Sequence, residues 1–306
     1  MYIDLVRKIL EEAVDDHATD LGCSKPEILA EIKKHIDATA KEHRRNEPEI
    51  DYQAPLCRLG YLYRHATANA TLFERVLRDS ENLAAKLRAA SGDNLHICSV
   101  GGGPGTELLG LAKRLHRMKP PYPRKISFTV LDSVNEWADT WRMLADACEE
   151  ELHELAGGKA DAPVIAAAFL AMDVLNARSY VNYRYELRRA DIIVLNYLFS
   201  ENKHRLANAA DAIRRLWDLV PRGCVFVVID RLERQGSFVN DVAQLFVSAG
   251  AGEPEVHRIG DYLDLDEQTD DMGKLLMGVL GSPRVKFFTD GYRDPTVFWF
   301  DAVKEK

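Results

Sequence analysis

Several things are scarce in this chain, and each scarcity narrows the reading. No apolar run approaches the ~20 residues that a membrane-spanning helix needs, so no span is expected. The opening residues Met1 to Lys8 contain no apolar segment of the kind that directs secretion. The five cysteines, Cys23, Cys57, Cys98, Cys148 and Cys224, are odd in number and scattered, and no Cys-x-x-Cys pair occurs. Neither a disulfide framework nor a zinc cage is therefore expected. A reduced, cytoplasmic protein that holds no metal is the reading. Basic charge is also short: the net charge is −8. That disfavours a broad nucleic-acid footprint, which depends on clustered Lys and Arg, but leaves room for a local basic groove. Repeats and low-complexity tracts are absent.

What is present is a chain of 306 residues, 46% of them hydrophobic, enough to bury a sizeable core. Residues 1–90 read as helical, with Leu5, Ile9, Leu10 and Ala13, then Ile28, Ile32, Ile36 and Ala40, at helical spacing. A polar break over Glu42 to Glu49 precedes a short helix at 55–65 and another at 71–90. From residue 95 the pattern alternates. Strands are expected at 95–100, 126–131, 164–169, 191–196 and 223–229, with helices at 105–118, 134–156, 175–187, 203–219 and 237–249. Such alternation implies a doubly wound parallel sheet covered by helices on both faces. Segment 251–283 reads as irregular, and 284–288 with 296–300 as a terminal hairpin.

The most informative stretch is Ile97 to Leu108, in which an apolar run meets Gly101-Gly102-Gly103-Pro104-Gly105 and a helix starts at once. Glycine there lets a ligand approach the backbone, and the helix start turns free N–H groups to the same spot. Asp132 ends the second strand, about 30 residues on, where a carboxylate can accept from both ribose hydroxyls of a nucleoside. It can equally cap the helix that follows, although Ser133 is available for that task. Met172-Asp173 follows the third strand, placed to hold an adenine or to cap the next helix. The fourth strand delivers Asn196 and Tyr197, whose polar tips need partners if buried.

Taken together these residues resemble the class I S-adenosylmethionine-dependent methyltransferases over residues 95–306. The resemblance implies a seven-stranded sheet of order 3-2-1-4-5-7-6 with the last strand antiparallel, and an S-adenosylmethionine-binding domain over 91–306. It implies that Gly101, Gly102, Gly103, Gly105, Asp132, Ser133, Met172, Asp173, Asn196 and Tyr197 hold the methyl donor. The acid that such enzymes often carry two positions before the first glycine is Ser99 here, so Glu107 or a group from the N-terminal part is expected to replace it. A nicotinamide oxidoreductase fits less well, because Thr106 stands where its third glycine belongs.

Residues 1–90 are expected to form a helical lid on the acceptor side. Tyr61 and His65 share a helix face, with Tyr63 and Arg64 beside them. These residues, with Arg231 and Tyr292, are candidates for binding the acceptor, although the Leu59, Leu62 and Tyr63 stripe can instead dock the helix. Arg64, His65 and Tyr197 are the candidates for catalysis. The Asn/Asp-Pro-Pro-Tyr/Phe turn of many N-methyltransferases is missing, since Asn196-Tyr197-Leu198-Phe199 holds no proline. O-Methylation of a small molecule or of a peptide or protein carboxylate is the expectation. RNA or protein N-methylation, and a non-catalytic sensor that binds S-adenosylmethionine, stay open.

Overall fold

The computed structural model describes residues 2–42, 50–118, 121–155, 162–232, 237–259 and 297–305. Four helices come first: α1 (Tyr2–Leu21), α2 (Lys25–Glu42), α3 (Pro55–Asp79) and α4 (Glu81–Ala89). Then follow β1 (Asn94–Val100), α5 (Glu107–Arg117), β2 (Lys125–Asp132), α6 (Trp137–Leu155) and β3 (Val164–Ala171). A 3₁₀ turn leads into the one-turn α7 (Arg184–Leu187), then β4 (Ile192–Asn196) and the one-turn α8 (Leu198–Glu201). The rest is α9 (Leu206–Leu219), β5 (Val225–Arg231), α10 (Ser237–Ala249), β6 (His257–Ile259) and β7 (Val297–Val303).

The sheet order is β3-β2-β1-β4-β5-β7-β6, as the resemblance implies. β7 runs antiparallel to both β5 and β6. Strand side chains alternate between two cores. Ile97, Phe128, Val130, Val194, Val227 and Trp299 pack with the N-terminal helices, α5 and α6. Cys98, Val100, Leu131, Ile193, Leu195, Phe226 and Phe300 pack with α7, α9 and α10. Both faces are covered, which is why residues 192–195 of β4 and 225–229 of β5 are apolar throughout rather than alternating.

The helical region before residue 90 differs from its expected layout. The helices read at 55–65 and 71–90 are one continuous α3, and the break comes at Ser80 instead. Between 66 and 70 nothing terminates a helix; at Ser80 the hydroxyl accepts from Leu83 N–H and caps α4. Ser80 also donates to Asp301 on β7, and Asn82 Nδ2 donates to the same carboxylate at 2.8 Å, which ties this corner to the last strand. α3 lies hard against α5. A Cβ on Gly110 of α5 would sit 2.5 Å from the Ala70 carbonyl oxygen, so glycine permits near-backbone contact between the two helices. Residues 257–259, read as irregular, form the short β6. The first arm of the expected hairpin, 284–288, lies outside the described residues, and so does Tyr292.

At the far end of β7, Lys304 is buried, and its ammonium donates to the carbonyls of Trp217 and Val220 at 2.6 and 2.9 Å. It caps the C-terminus of α9 with a cation, where the helix dipole favours one. No helix among the described residues is long and apolar enough to cross a membrane.

Candidate active site

β1 and β4 are neighbours, and from them the connections wind outward in opposite directions. Doubly wound sheets open a crevice at such a point, beyond the carboxyl ends of the strands. A cleft of ≈ 300 Å³ lies there. Its floor includes Gly101, Gly103, Asp132, Ser133, Asp173 and Leu198.

The glycine turn is built by local bonds. Gly101 N–H donates to the Leu131 carbonyl at 2.7 Å, and Gly105 N–H to the Gly102 carbonyl at 2.8 Å. Gly101, Gly103 and Gly105 all have positive φ, at 70°, 50° and 71°. Their side-chain space differs in a telling way. A Cβ on Gly105 would collide with the Trp141 ring, so that glycine serves packing. A Cβ on Gly103 would meet nothing closer than the Trp137 ring at 3.7 Å, so the space above it is open. Gly102 packs on Ser99 and does not line the cleft.

Asp132 does two structural tasks while lining the cleft. Its Oδ2 accepts from Gly103 N–H and its Oδ1 from Val134 N–H, both at 2.9 Å. A carboxylate has about four acceptor sites, so each oxygen keeps capacity for a ligand. Burial pushes its pKa up, against these N–H contacts. The helix expected from 134 begins at Trp137, and Asp132 holds the turn before it.

Asp173 also lines the cleft, but with a partner that sequence reasoning missed. Arg205 Nη2 lies 3.0 and 2.7 Å from its two oxygens. Met172 is buried in the core beneath and is not part of the cleft wall, where Val174 and Leu175 stand. Asn196 is buried and donates to Glu107 Oε1 at 2.8 Å, leaving its own Oδ1 without a partner. Ser99 Oγ donates to Glu107 Oε2 at 3.4 Å. Burial raises the Glu107 pKa, although both contacts oppose the rise.

Beyond Asn196 the chain turns sharply. Tyr197 has φ 56°, the only non-glycine residue with positive φ among the described residues. Such a conformation costs about 1–2 kcal/mol and persists only where surroundings impose it. Here Tyr197 N–H donates to the Ile229 carbonyl at 2.8 Å, and Arg231 lies over its ring at 5.2 Å. Asp230 then accepts from Phe199 and Ser200 N–H at 2.9 and 3.1 Å, fixing the start of α8 to the end of β5. The result is Glu201, at the end of α8, on the cleft wall. Its Oε1 is 3.8 Å from Arg231 Nη2. Burial pushes its pKa up to about 7, Asp230 and Asp132 push the same way, and Arg231 opposes them.

The roof is aromatic. Tyr52, Tyr61 and Trp137 line the cleft, with ring centroids 5.3 to 5.7 Å apart. His65 packs on Tyr61 at 4.7 Å without lining the cleft. Tyr63 is buried in the core, where its hydroxyl pKa is pushed up to about 12, and Arg64 is half-buried outside the cleft wall. Arg58 holds the segment carrying Tyr52, donating to the carbonyls of Tyr52 and Gln53 at 2.9 and 2.7 Å.

Glu201, Tyr52, Trp137, Asn202, His204 and Arg205 were missed from sequence. A signal existed for Glu201 alone: an acid one helical turn beyond the fourth strand's end must lie near the crevice. The cleft fits a particular ligand chemistry. Asp132 keeps acceptor capacity beside the open space over Gly103, with aromatic rings above. That suits the sugar and base of a nucleoside.

A family match agrees with this ligand chemistry. Residues 28–240 match the family described as "Putative SAM-dependent methyltransferase", SAM being S-adenosylmethionine. No curated protein matches the chain. Among solved structures, an O-methyltransferase family protein from Burkholderia thailandensis is similar at 14% identity and TM-score 0.46, covering 92% of this chain and 72% of its own. Magnesium protoporphyrin IX methyltransferase from Synechocystis PCC 6803, with bound S-adenosylhomocysteine, is similar at 9% identity and TM-score 0.38, covering 89% and 95%. Neither likeness bears on what this chain methylates. The family match extends over more than half of the chain, and the protein belongs to the S-adenosylmethionine-dependent methyltransferases, with S-adenosylmethionine as its methyl donor.

Proposed function

We propose that this enzyme methylates an oxygen of a small molecule. One observation carries the reading: Tyr52, Tyr61 and Trp137 stand over the same cleft of ≈ 300 Å³ that the donor residues line, so little room is left for the acceptor. The cleft is partly open, and a bulky acceptor must pass these three rings to reach the donor residues beneath them. The wall chemistry argues against a carboxylate acceptor. Arg205 is engaged by Asp173 and Arg231 faces Glu201, so the two guanidinium groups nearest the cleft already have acidic neighbours.

In this reading Asp132 takes the ribose hydroxyls, the backbone at Gly101 and Gly103 lies against the donor, and Asp173 with Val174 and Leu175 holds the adenine. Glu107 supplies, from α5, the acid that is absent at Ser99, and acts through Asn196. The helical region 1–90 supplies the acceptor side through Tyr61, and the domain over 91–306 holds the donor. The donor brings a methyl group on a sulfonium. What the chain must add is alignment and exclusion of water, to which the aromatic roof is suited.

Labelled methyl transfer into a fractionated cell extract tests this. Label in the small-molecule fraction, stable to mild base as an ether and not a methyl ester, is the expected result. Label in protein or RNA instead would sink the reading, and no transfer at all, with S-adenosylhomocysteine still bound, would favour a sensor.

A further inference from the structure

Methylating a neutral hydroxyl raises a question that the fold leaves open: where the proton goes. A carboxylate acceptor needs no base, but an alcohol or phenol is a poor nucleophile until its proton is taken. Three features single out Glu201. It lines the cleft, and it stands on a one-turn helix whose start is fixed by the left-handed Tyr197 and by Asp230 on its first N–H groups. Its approach to Arg231, at 3.8 Å, is too long for a tight bidentate bridge, so it can gain a proton without dismantling one. The charged and titratable groups that act on it come from every side: Arg231 and Asp230 from β5, Asp132 from β2, and Tyr52 and Tyr61 from the roof. Tyr52 Oη is buried with no hydrogen-bond partner, a polar atom beside this space that a bound hydroxyl compound would satisfy.

We propose that Glu201 is the general base of the reaction, taking the proton of a hydroxyl acceptor held beneath Tyr52, Tyr61 and Trp137, with Asp230 and Arg231 as positioning residues. The proposal rests on the small-molecule O-methylation reading. In the step, the acceptor's O–H proton passes to a Glu201 oxygen as the acceptor oxygen forms its bond to the methyl carbon. The carbon–sulfur bond breaks, its electron pair stays on sulfur, and the sulfonium becomes a neutral thioether. Glu201 is left as a neutral acid and returns its proton to water as products leave. A carboxyl held near neutrality by burial matches this duty.

The test compares wild type with Glu201→Gln and Glu201→Asp, using phenol, which stays protonated near neutral pH, and the small-molecule fraction of a cell extract as acceptors. Calorimetry with S-adenosylhomocysteine comes first and should show near-unchanged affinity in the variants. Wild-type transfer should rise with pH and level off above about 7. Glu201→Gln should lose roughly 10²–10⁴-fold in rate together with that pH dependence, and Glu201→Asp should restore part of both. If wild type labels the small-molecule fraction and Glu201→Gln keeps its rate and pH profile, the proposal alone fails. If wild type labels only protein or RNA, the small-molecule reading fails and the proposal with it.

Discussion

The floor and the roof of the cleft are built on different plans. The floor is made of strand ends: Gly101 and Gly103 of the glycine turn after β1, Asp132 at the end of β2, Asp173 after β3 and Leu198 after β4. Each lies within a few residues of the strand that positions it. The roof is assembled from single aromatics far apart in the chain: Tyr52 before α3, Tyr61 within it and Trp137 opening α6. The floor's geometry is thus set by local backbone bonds, while the roof's depends on how separate elements pack. Damage to the floor should fall on the donor, and damage to the roof on the acceptor.

The largest effect is expected in the glycine turn that forms the floor. Gly105→Ala forces a Cβ into the Trp141 ring at positive φ. Overpacking of about 1–3 kcal/mol adds to about 1–2 kcal/mol for the left-handed backbone, so a large fall in Tm is expected. Gly103→Ala meets only the second cost, and should fold but lose S-adenosylhomocysteine in calorimetry because its methyl fills the open space. Equal loss of stability in both variants would erase the distinction between a packing glycine and a ligand glycine.

Asp132→Ala comes next. Charge-assisted hydrogen bonds contribute about 1.5–3 kcal/mol each, so losing two should weaken S-adenosylhomocysteine binding by roughly 10²-fold or more. Circular dichroism should show the fold retained, since Gly103 and Val134 N–H lie near water once the carboxylate is gone. Tyr61→Ala is the matching cut in the roof. Its aromatic contacts are worth about 0.5–1.5 kcal/mol beyond buried area, so KM for the acceptor should rise roughly 10-fold while donor affinity changes little. A parallel loss of donor affinity would mean that roof and floor act as one unit.

The smallest expected effect concerns stability and pH. The Glu201 carboxyl has a folded pKa of about 7, above the ordinary value of 4.5. In that window the folded state holds more protons than the unfolded state, so the wild type loses stability as pH rises through it. Glu201→Gln lacks this loss. Its Tm should match or exceed that of wild type at pH 8, with the gap closing towards pH 4. A variant less stable at pH 8 would show that the carboxylate form supports the fold.

The same division explains what could be read from sequence. The floor was legible because a buried strand, a glycine turn and a terminal acid are contiguous signals. Sheet order followed once those signals resembled a known family. The roof was half legible. Tyr61 was found through its spacing to His65, but Tyr63 and Arg64 from the same stripe lie off the cleft wall. Nothing in a lone Tyr52 or Trp137 announces a partner 85 residues away. Glu201 carried one signal, its place just past the fourth strand, but its seat on the cleft wall depends on Tyr197 adopting a left-handed conformation and on Asp230 gripping α8, neither of which periodicity reveals. Asp173 was seen without Arg205, because an ion pair across 32 positions leaves no pattern in the chain.

The contact at Gly110 bears on how molecules enter and leave. With the α5 backbone pressed against the Ala70 carbonyl, α3 cannot swing away from the helix that begins at the glycine turn without opening a void between them. The stiff part of the covering therefore moves with the donor site, not against it. The part of the roof outside this stiff unit is the short strap of residues 50–54, held by two Arg58 bonds to its carbonyls.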